Sequence, residues 1–239
     1  MPMNPIARAA AVPFLLVGVL HITLLVLEGA GTDVGGWATL SKGLLMPALL
    51  LAFLVAVLQG GGAPRPREAR VPLGPVLVSV ALGFSWLGDI SLSVTEGAGF
   101  LLGLVFFLVA HLAWISAFVL VLRVRRPPRA GLVYLLWLVA FVALLAPHTG
   151  VLLVPVALYG AVLALVAALG LGAGRWVAWG SALFLVSDSL LGLHTFYPGF
   201  SPWQIDAIIM TGYLAGQALM AFGVLKRLQS ERTTEGDRG

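Results

Sequence analysis

Runs of about 20 consecutive apolar residues recur along nearly the whole chain, and each is as long as a helix must be to cross about 30 Å of hydrocarbon. Inside a bilayer every backbone N–H and C=O needs a partner within the protein, so runs of this kind become helices. They fall near 8–28, 37–59, 72–94, 99–122, 129–146, 150–171, 175–196 and 203–225. The pattern predicts an all-α bundle of eight transmembrane helices forming a single integral membrane domain over 1–239. With 60% of residues hydrophobic and 10% charged, a soluble globular domain is excluded. The first run, Ala9 to Leu27, is too long for the apolar core of a secretory leader and reads as the first span.

The basic residues set the direction of each span. Arg8, then Arg65, Arg67 and Arg70, then Arg123, Arg125, Arg126 and Arg129, then Arg175, then Lys226, Arg227, Arg232 and Arg238 all fall on one side. The opposite connections carry only Glu28, Asp33, Glu96 and Asp206. Thirteen of the 14 Lys and Arg residues therefore agree on one orientation in the cell (inner) membrane, with both termini cytoplasmic. The exception, Lys42, lies within the second span. A net charge of +4, held in short clusters between apolar runs, suits anionic lipid headgroups. Basic residues interleaved with aromatic ones are missing, so no nucleic-acid partner is expected. Cysteine is absent, which excludes disulfides, thiol nucleophiles and cysteine-ligated zinc or iron–sulfur centres. His21, His111, His148 and His194 are dispersed, with no H-E-x-x-H pattern, so neither a metal site nor another cofactor is predicted.

An ionisable side chain within a span is costly unless it faces a protein interior or a wet cavity, which makes Lys42, Asp89 and Asp188 functional candidates. At 1.5 Å per residue, Lys42, Asp89 and Asp188 sit about 8, 9 and 12 Å below the non-cytoplasmic rims of their spans, and His111 and Tyr213 about 15–18 Å below theirs. All five fit one cavity opening to that face. Ser85, Asp89 and Ser93 repeat at helical spacing, as do Asp206, Tyr213 and Gln217 on the last span. Leu87-Gly88-Asp89 and Val186-Ser187-Asp188 stand four spans apart, hinting at a four-plus-four parallel repeat with facing aspartates. Simpler readings stand beside these. His111 can merely bond a neighbouring carbonyl, and Lys42 can snorkel to the interface or pair with Asp89. Gly99 with Gly103 and Gly212 with Gly216 suit close helix packing. Gly83-Phe84-Ser85-Trp86-Leu87-Gly88 has the wrong spacing and context for a serine nucleophile.

Lys42-Gly43-Leu44-Leu45-Met46-Pro47, Leu87-Gly88-Asp89, Ala110-His111-Leu112-Ala113-Trp114, Leu185-Val186-Ser187-Asp188 and Tyr213-Leu214-Ala215-Gly216-Gln217, in this order, resemble the YhhN/lysoplasmalogenase family. The chain departs from the family's common residues at Gly43, where Pro is usual, and at Trp114, where Tyr is usual. The resemblance implies an integral membrane hydrolase that cleaves the vinyl ether bond of lysoplasmalogens, with a lysophospholipid substrate among membrane lipids. Protonation of the vinyl ether carbon gives an oxocarbenium ion that water captures. A pair of carboxyl groups suits this step if one holds its proton while the other stays ionised. Asp89 and Asp188 are the expected catalytic pair. Lys42 is expected to bind the phosphate, and His111, Tyr213, Gln217, Ser85 and Ser187 the rest of the substrate. The competing expectation is a small proton-coupled transporter or lipid-binding membrane protein, since proton relays use the same residues.

Overall fold

A computed structural model describes residues 5–59, 72–94 and 98–236. The described residues are helical, with no strand among them. Arg65, Arg67, Arg70, Glu96 and Arg238, all used in the charge argument, lie outside them. The helices are α1 Pro5–Gly29, α2 Gly35–Gln59, α3 Leu73–Val94, α4 Ala98–Ser116, α5 Leu132–Thr149, α6 Leu153–Ala173, α7 Arg175–Phe196 and α8 Ile205–Gly236. A π-turn at Ala117–Val121 extends α4, which ends where Val124 N–H reaches back to Phe118 O and Arg123 takes φ 57°. α8 runs well past the 203–225 expected from hydropathy, because its apolar run passes without a helix breaker into Lys226, Arg227 and the polar residues beyond.

Seven helical segments are long and apolar enough to cross a membrane, so the chain is an integral, multi-pass membrane protein. The sequence predicts eight. The difference lies in Arg129–Ala173, whose 45 residues stay helical throughout because the junction of α5 and α6 is itself a 3-10 turn, Gly150–Leu152. Gly150 there has φ 53°, a left-handed conformation that glycine adopts without steric cost. A Cβ on Gly131 would stand 3.2 Å from Ala168 Cβ, and one on Gly172 would stand 2.8 Å from Val124 Cγ1. The start of α5 therefore lies beside the end of α6.

The two ends of the bundle differ in charge. At one, Arg175 and Lys226 sit 4.9 and 5.6 Å from the ring centroid of Trp176, with Arg227 beside Gly174. At the other stand Glu28 and Asp206, and Gln204 Nε2 donates to Val26 O at 3.1 Å, tying the end of α1 to the start of α8. These are called the basic and acidic ends below. The closest helix pairs are α1 with α2, α3 with α4 and α7 with α8; α2 also packs on α3, α6 joins α4 to α7, and α1 touches α8, while α5 rests mainly on α6 and secondarily on α7. The core is built from Leu45, Phe53, Leu82, Trp114, Phe118, Phe184 and Met220, all buried. Large apolar side chains such as Val19, Leu136 and Val139 face outward, as a lipid-solvated surface requires.

Candidate active site

A cavity of about 290 Å³ lies inside the bundle towards the acidic end, and both intramembrane aspartates line it. α3 brings Asp89 and α7 brings Asp188. Counted from the acidic ends of their helices, Lys42, Asp89, Tyr159, Asp188 and Tyr213 all lie roughly 8–12 Å in, so these polar groups form a layer less than about one turn thick.

Each carboxyl is held by a tyrosine from a neighbouring helix. Tyr213 of α8 donates its hydroxyl to Asp89 Oδ2 at 2.8 Å, and Tyr159 of α6 donates to Asp188 Oδ2. Buried acids need such partners, because an unsatisfied or unpaired carboxyl in an apolar interior is far more costly than a bonded one. Ser93 Oγ donates to the backbone oxygen of Asp89 at 2.9 Å, and Ser187 Oγ to Ile209 O at 2.8 Å, tying α7 to α8 beside Asp188. Both carboxyls and Lys42 line this one cavity. Lys42 is half-buried on the wall, and no ion pair joins it to a carboxylate among the described residues. Its ammonium is free to meet an anion.

Of the residues singled out in the sequence, Asp89, Asp188, Lys42, Tyr213 and Ser187 line the cavity. Ser85, Gln217 and His111 stand behind its wall. Gln217 Nε2 donates to Ser85 Oγ at 2.8 Å, a fully buried tie between α8 and α3. His111 Nδ1–H donates to Phe107 O at 2.6 Å, and its ring meets those of Tyr159 and Phe184 edge-on at 5.3 and 4.8 Å. His111 thus makes the carbonyl bond of the simpler reading and also braces the tyrosine that holds Asp188. Its Nε2, like Gln217 Oε1, is buried with no partner among the described residues.

Sequence reasoning missed Tyr159 and His21. The signal for Tyr159 was its rarity: the chain has 4 tyrosines, and this one sits inside an apolar span. His21 is 1% exposed on the cavity wall. Ser41 Oγ donates its proton to Ala38 O at 2.9 Å, so it accepts from His21 Nδ1–H at 2.9 Å. The other nitrogen, Nε2, is left as an acceptor without a partner among the described residues. Among the described residues no group of three or more His, Asp or Glu could hold a metal ion.

Comparison with known proteins gives the chain its relatives. The YhhN family matches residues 37–224, a stretch that includes Lys42, Asp89, Tyr159, Asp188 and Tyr213. Lysoplasmalogenase TMEM86B of Homo sapiens is 32% identical over 153 residues, covering 63% of this chain and 64% of that protein. Lysoplasmalogenase TMEM86B of Rattus norvegicus is 29% identical over 225 residues, 93% of this chain and 86% of its own. The Sus scrofa protein of that name is 32% identical over 188 residues, 75% of this chain and 72% of its own. The chain thus spans less than two thirds of the human relative's length in that match. No solved structure matches it. The family match covers most of the chain and every carboxyl–tyrosine contact of the cavity, so this chain belongs to the YhhN family.

Proposed function

We propose that this chain is a membrane ether hydrolase that cleaves the vinyl ether bond of lysoplasmalogens, with Asp89 and Asp188 as its catalytic pair. The observation that carries the reading is that two carboxyls line one membrane-embedded cavity, each gripped by a tyrosine hydroxyl, beside a lysine without an ion-pair partner among the described residues. The relatives' name, lysoplasmalogenase, supports the same substrate class.

One carboxyl, in its acid form, delivers a proton to the β-carbon of the alkenyl ether. The cation that forms, shared between the α-carbon and the ether oxygen, is stabilised by the second, ionised carboxyl, which also orients a water. Water adds to the α-carbon and loses a proton, giving a hemiacetal. This collapses to a fatty aldehyde and a glycerophospho-alcohol. One water is consumed and no redox change occurs, so the step calls for no cofactor. Each tyrosine bond occupies one carboxyl oxygen and leaves the other for substrate or water. Lys42 takes the phosphate, while Ser187 and Tyr213 hold the reacting end of the substrate. Behind the wall, Ser85, Gln217 and His111 act as positioning residues for the tyrosines.

The chain crosses the membrane eight times in this reading, with α5 and α6 as separate crossings and both termini cytoplasmic. Asp89 and Asp188 then stand at matching heights on parallel helices, as a four-plus-four repeat would leave them. The test is aldehyde release from an alkenyl lysophospholipid by purified protein. Asp89→Asn and Asp188→Asn should each lower it by about 10²–10⁴-fold, the usual worth of a positioned acid or base, while the protein stays folded. Full activity in both variants sinks the pair.

A further inference from the structure

The cavity is too small for the ligand assigned to it above. At about 290 Å³ it falls at the lower edge of the roughly 300–1,000 Å³ that hold a drug-sized molecule. A lysophospholipid with a long hydrocarbon chain is larger, so its tail must leave the cavity. It cannot leave by the acidic end, where Glu28, Lys42 and Asp206 line the mouth. An alkyl chain pushed past charged groups into water would forfeit about 0.8 kcal/mol for each methylene it exposes.

One flank offers another route. Gly160 of α6 and Gly192 of α7 both line the cavity, and both lack the side chain that would close the wall between their helices. What fills that gap comes from α5. A Cβ on Gly192 would meet Phe141 Cζ at 2.9 Å, and one on Gly160 would meet Leu138 Cδ1 at 3.2 Å. Phe141 stacks on Trp137, with ring centroids 4.9 Å apart and planes 16° from parallel, and both rings line the cavity while staying only partly buried. The wall here is one layer of side chains, carried by a helix that rests mainly on α6 and α7 and presents Leu135, Leu136 and Val139 outward.

We propose that the glycine gap between α6 and α7 is the passage for the ligand's hydrocarbon chain, with Trp137 and Phe141 as its walls and the bilayer beyond. The inference rests on the lysophospholipid reading for the nature of the ligand. The headgroup stays at the charged mouth, the first carbons lie against the carboxyls, and the rest of the chain runs under α5 into lipid. Gly160 and Gly192 are then specificity-determining residues: they set whether a long chain can be threaded at all. Chain carbons beyond the passage meet only lipid and add no discrimination.

The experiment uses an uncleavable alkyl ether lysophospholipid carrying a photoreactive diazirine on a mid-chain carbon, the part that would lie in the passage, added to the full-length protein in nanodiscs. Label should fall on α5 and on the faces of α6 and α7 around Gly160 and Gly192, and unlabelled ligand should compete it away. Competed label on α1, α2 or α3 instead, or no competed label anywhere, overturns the passage. Gly192→Val should weaken binding of an octadecyl ether lysophospholipid more than tenfold and leave a butyl analogue unchanged. Equal effects on the two chains, or none, also overturn it. If that variant does not fold, the labelling of the unaltered protein decides alone. Aldehyde release is measured separately with an alkenyl lipid: labelled α5 without aldehyde refutes the hydrolase and keeps the passage, and aldehyde without label does the reverse.

Discussion

Tyr213 and Tyr159 each donate a single hydroxyl to one of the two acids. A hydrogen bond to a charged group contributes about 1.5–3 kcal/mol, so removing one is equivalent to roughly ten- to a hundredfold in rate if the bond positions or stabilises the reacting carboxyl. Tyr213→Phe and Tyr159→Phe are therefore expected to cut kcat/KM for aldehyde release by that range, with the ring packing kept and the thermal midpoint little changed. Steady-state kinetics beside a melting curve would check both halves. Lys42→Met should instead raise KM for the phospholipid and leave kcat nearly intact, because an anion held equally in ground and transition state affects binding alone. The acids and the lysine were legible in the sequence because charge inside an apolar run is conspicuous. Their tyrosine partners were less so: Tyr213 stood out by its spacing from Asp206, whereas Tyr159 and His21 each stand alone on a span and only folding brings them to the cavity wall.

At the scale of the helices, α7 and α8 approach until their backbones touch. A Cβ on Gly180 would stand 2.8 Å from Gly216 O, and one on Gly216 would stand 2.9 Å from Gly180 O, so neither position accepts a side chain without moving a helix. This close approach sets Ser187 and Asp188 against α8 and holds Tyr213 in reach of Asp89. Gly180→Val and Gly216→Val should each destabilise the bundle by several kcal/mol, read as a lowered melting temperature in detergent, with activity falling alongside. Gly43 is the contrast. Nothing lies within 4 Å of a Cβ built there, and its carbonyl already accepts from Trp86 Nε1 at 2.8 Å, so Gly43→Ala is expected to be neutral or to stabilise by up to about 1 kcal/mol. The Gly212–Gly216 spacing advertised close packing, but a sequence pattern cannot name its partner; Gly180, with no second glycine four residues away, was invisible. Helix ends near Gly, Pro and charge clusters were read within a few residues, except the end of α8, which continues past the Lys226–Arg227 cluster to Gly236. The α5–α6 junction was not resolved as cleanly, since Gly150, Val151 and Leu152 are apolar and turn within three residues, with a positive φ only at Gly150.

For the whole molecule, direction across the membrane is what gives the cavity a side. Arg175, Lys226 and Arg227 gather at one end of the described structure, Glu28 and Asp206 at the other, and the proposed basic-inside orientation would put the cavity mouth on the non-cytoplasmic face. That conclusion depends on Arg129–Ala173 crossing twice. A single crossing would put Arg126 and Arg175 on opposite faces and break the agreement of the charges. The chain has no cysteine of its own, so single substitutions report cleanly. Val151 is 94% exposed at the α5–α6 turn and Trp203 is 81% exposed ahead of α8. With two crossings, Val151→Cys and Trp203→Cys should both react with a membrane-impermeant maleimide added to intact cells, whereas Arg126→Cys and Arg175→Cys should react only after the membrane is opened. Val151→Cys silent from outside, with Arg126→Cys and Arg175→Cys labelled from opposite faces, would mean one crossing. The mouth would then lose its common side, and a lysophospholipid could not reach Lys42 and both aspartates from a single leaflet.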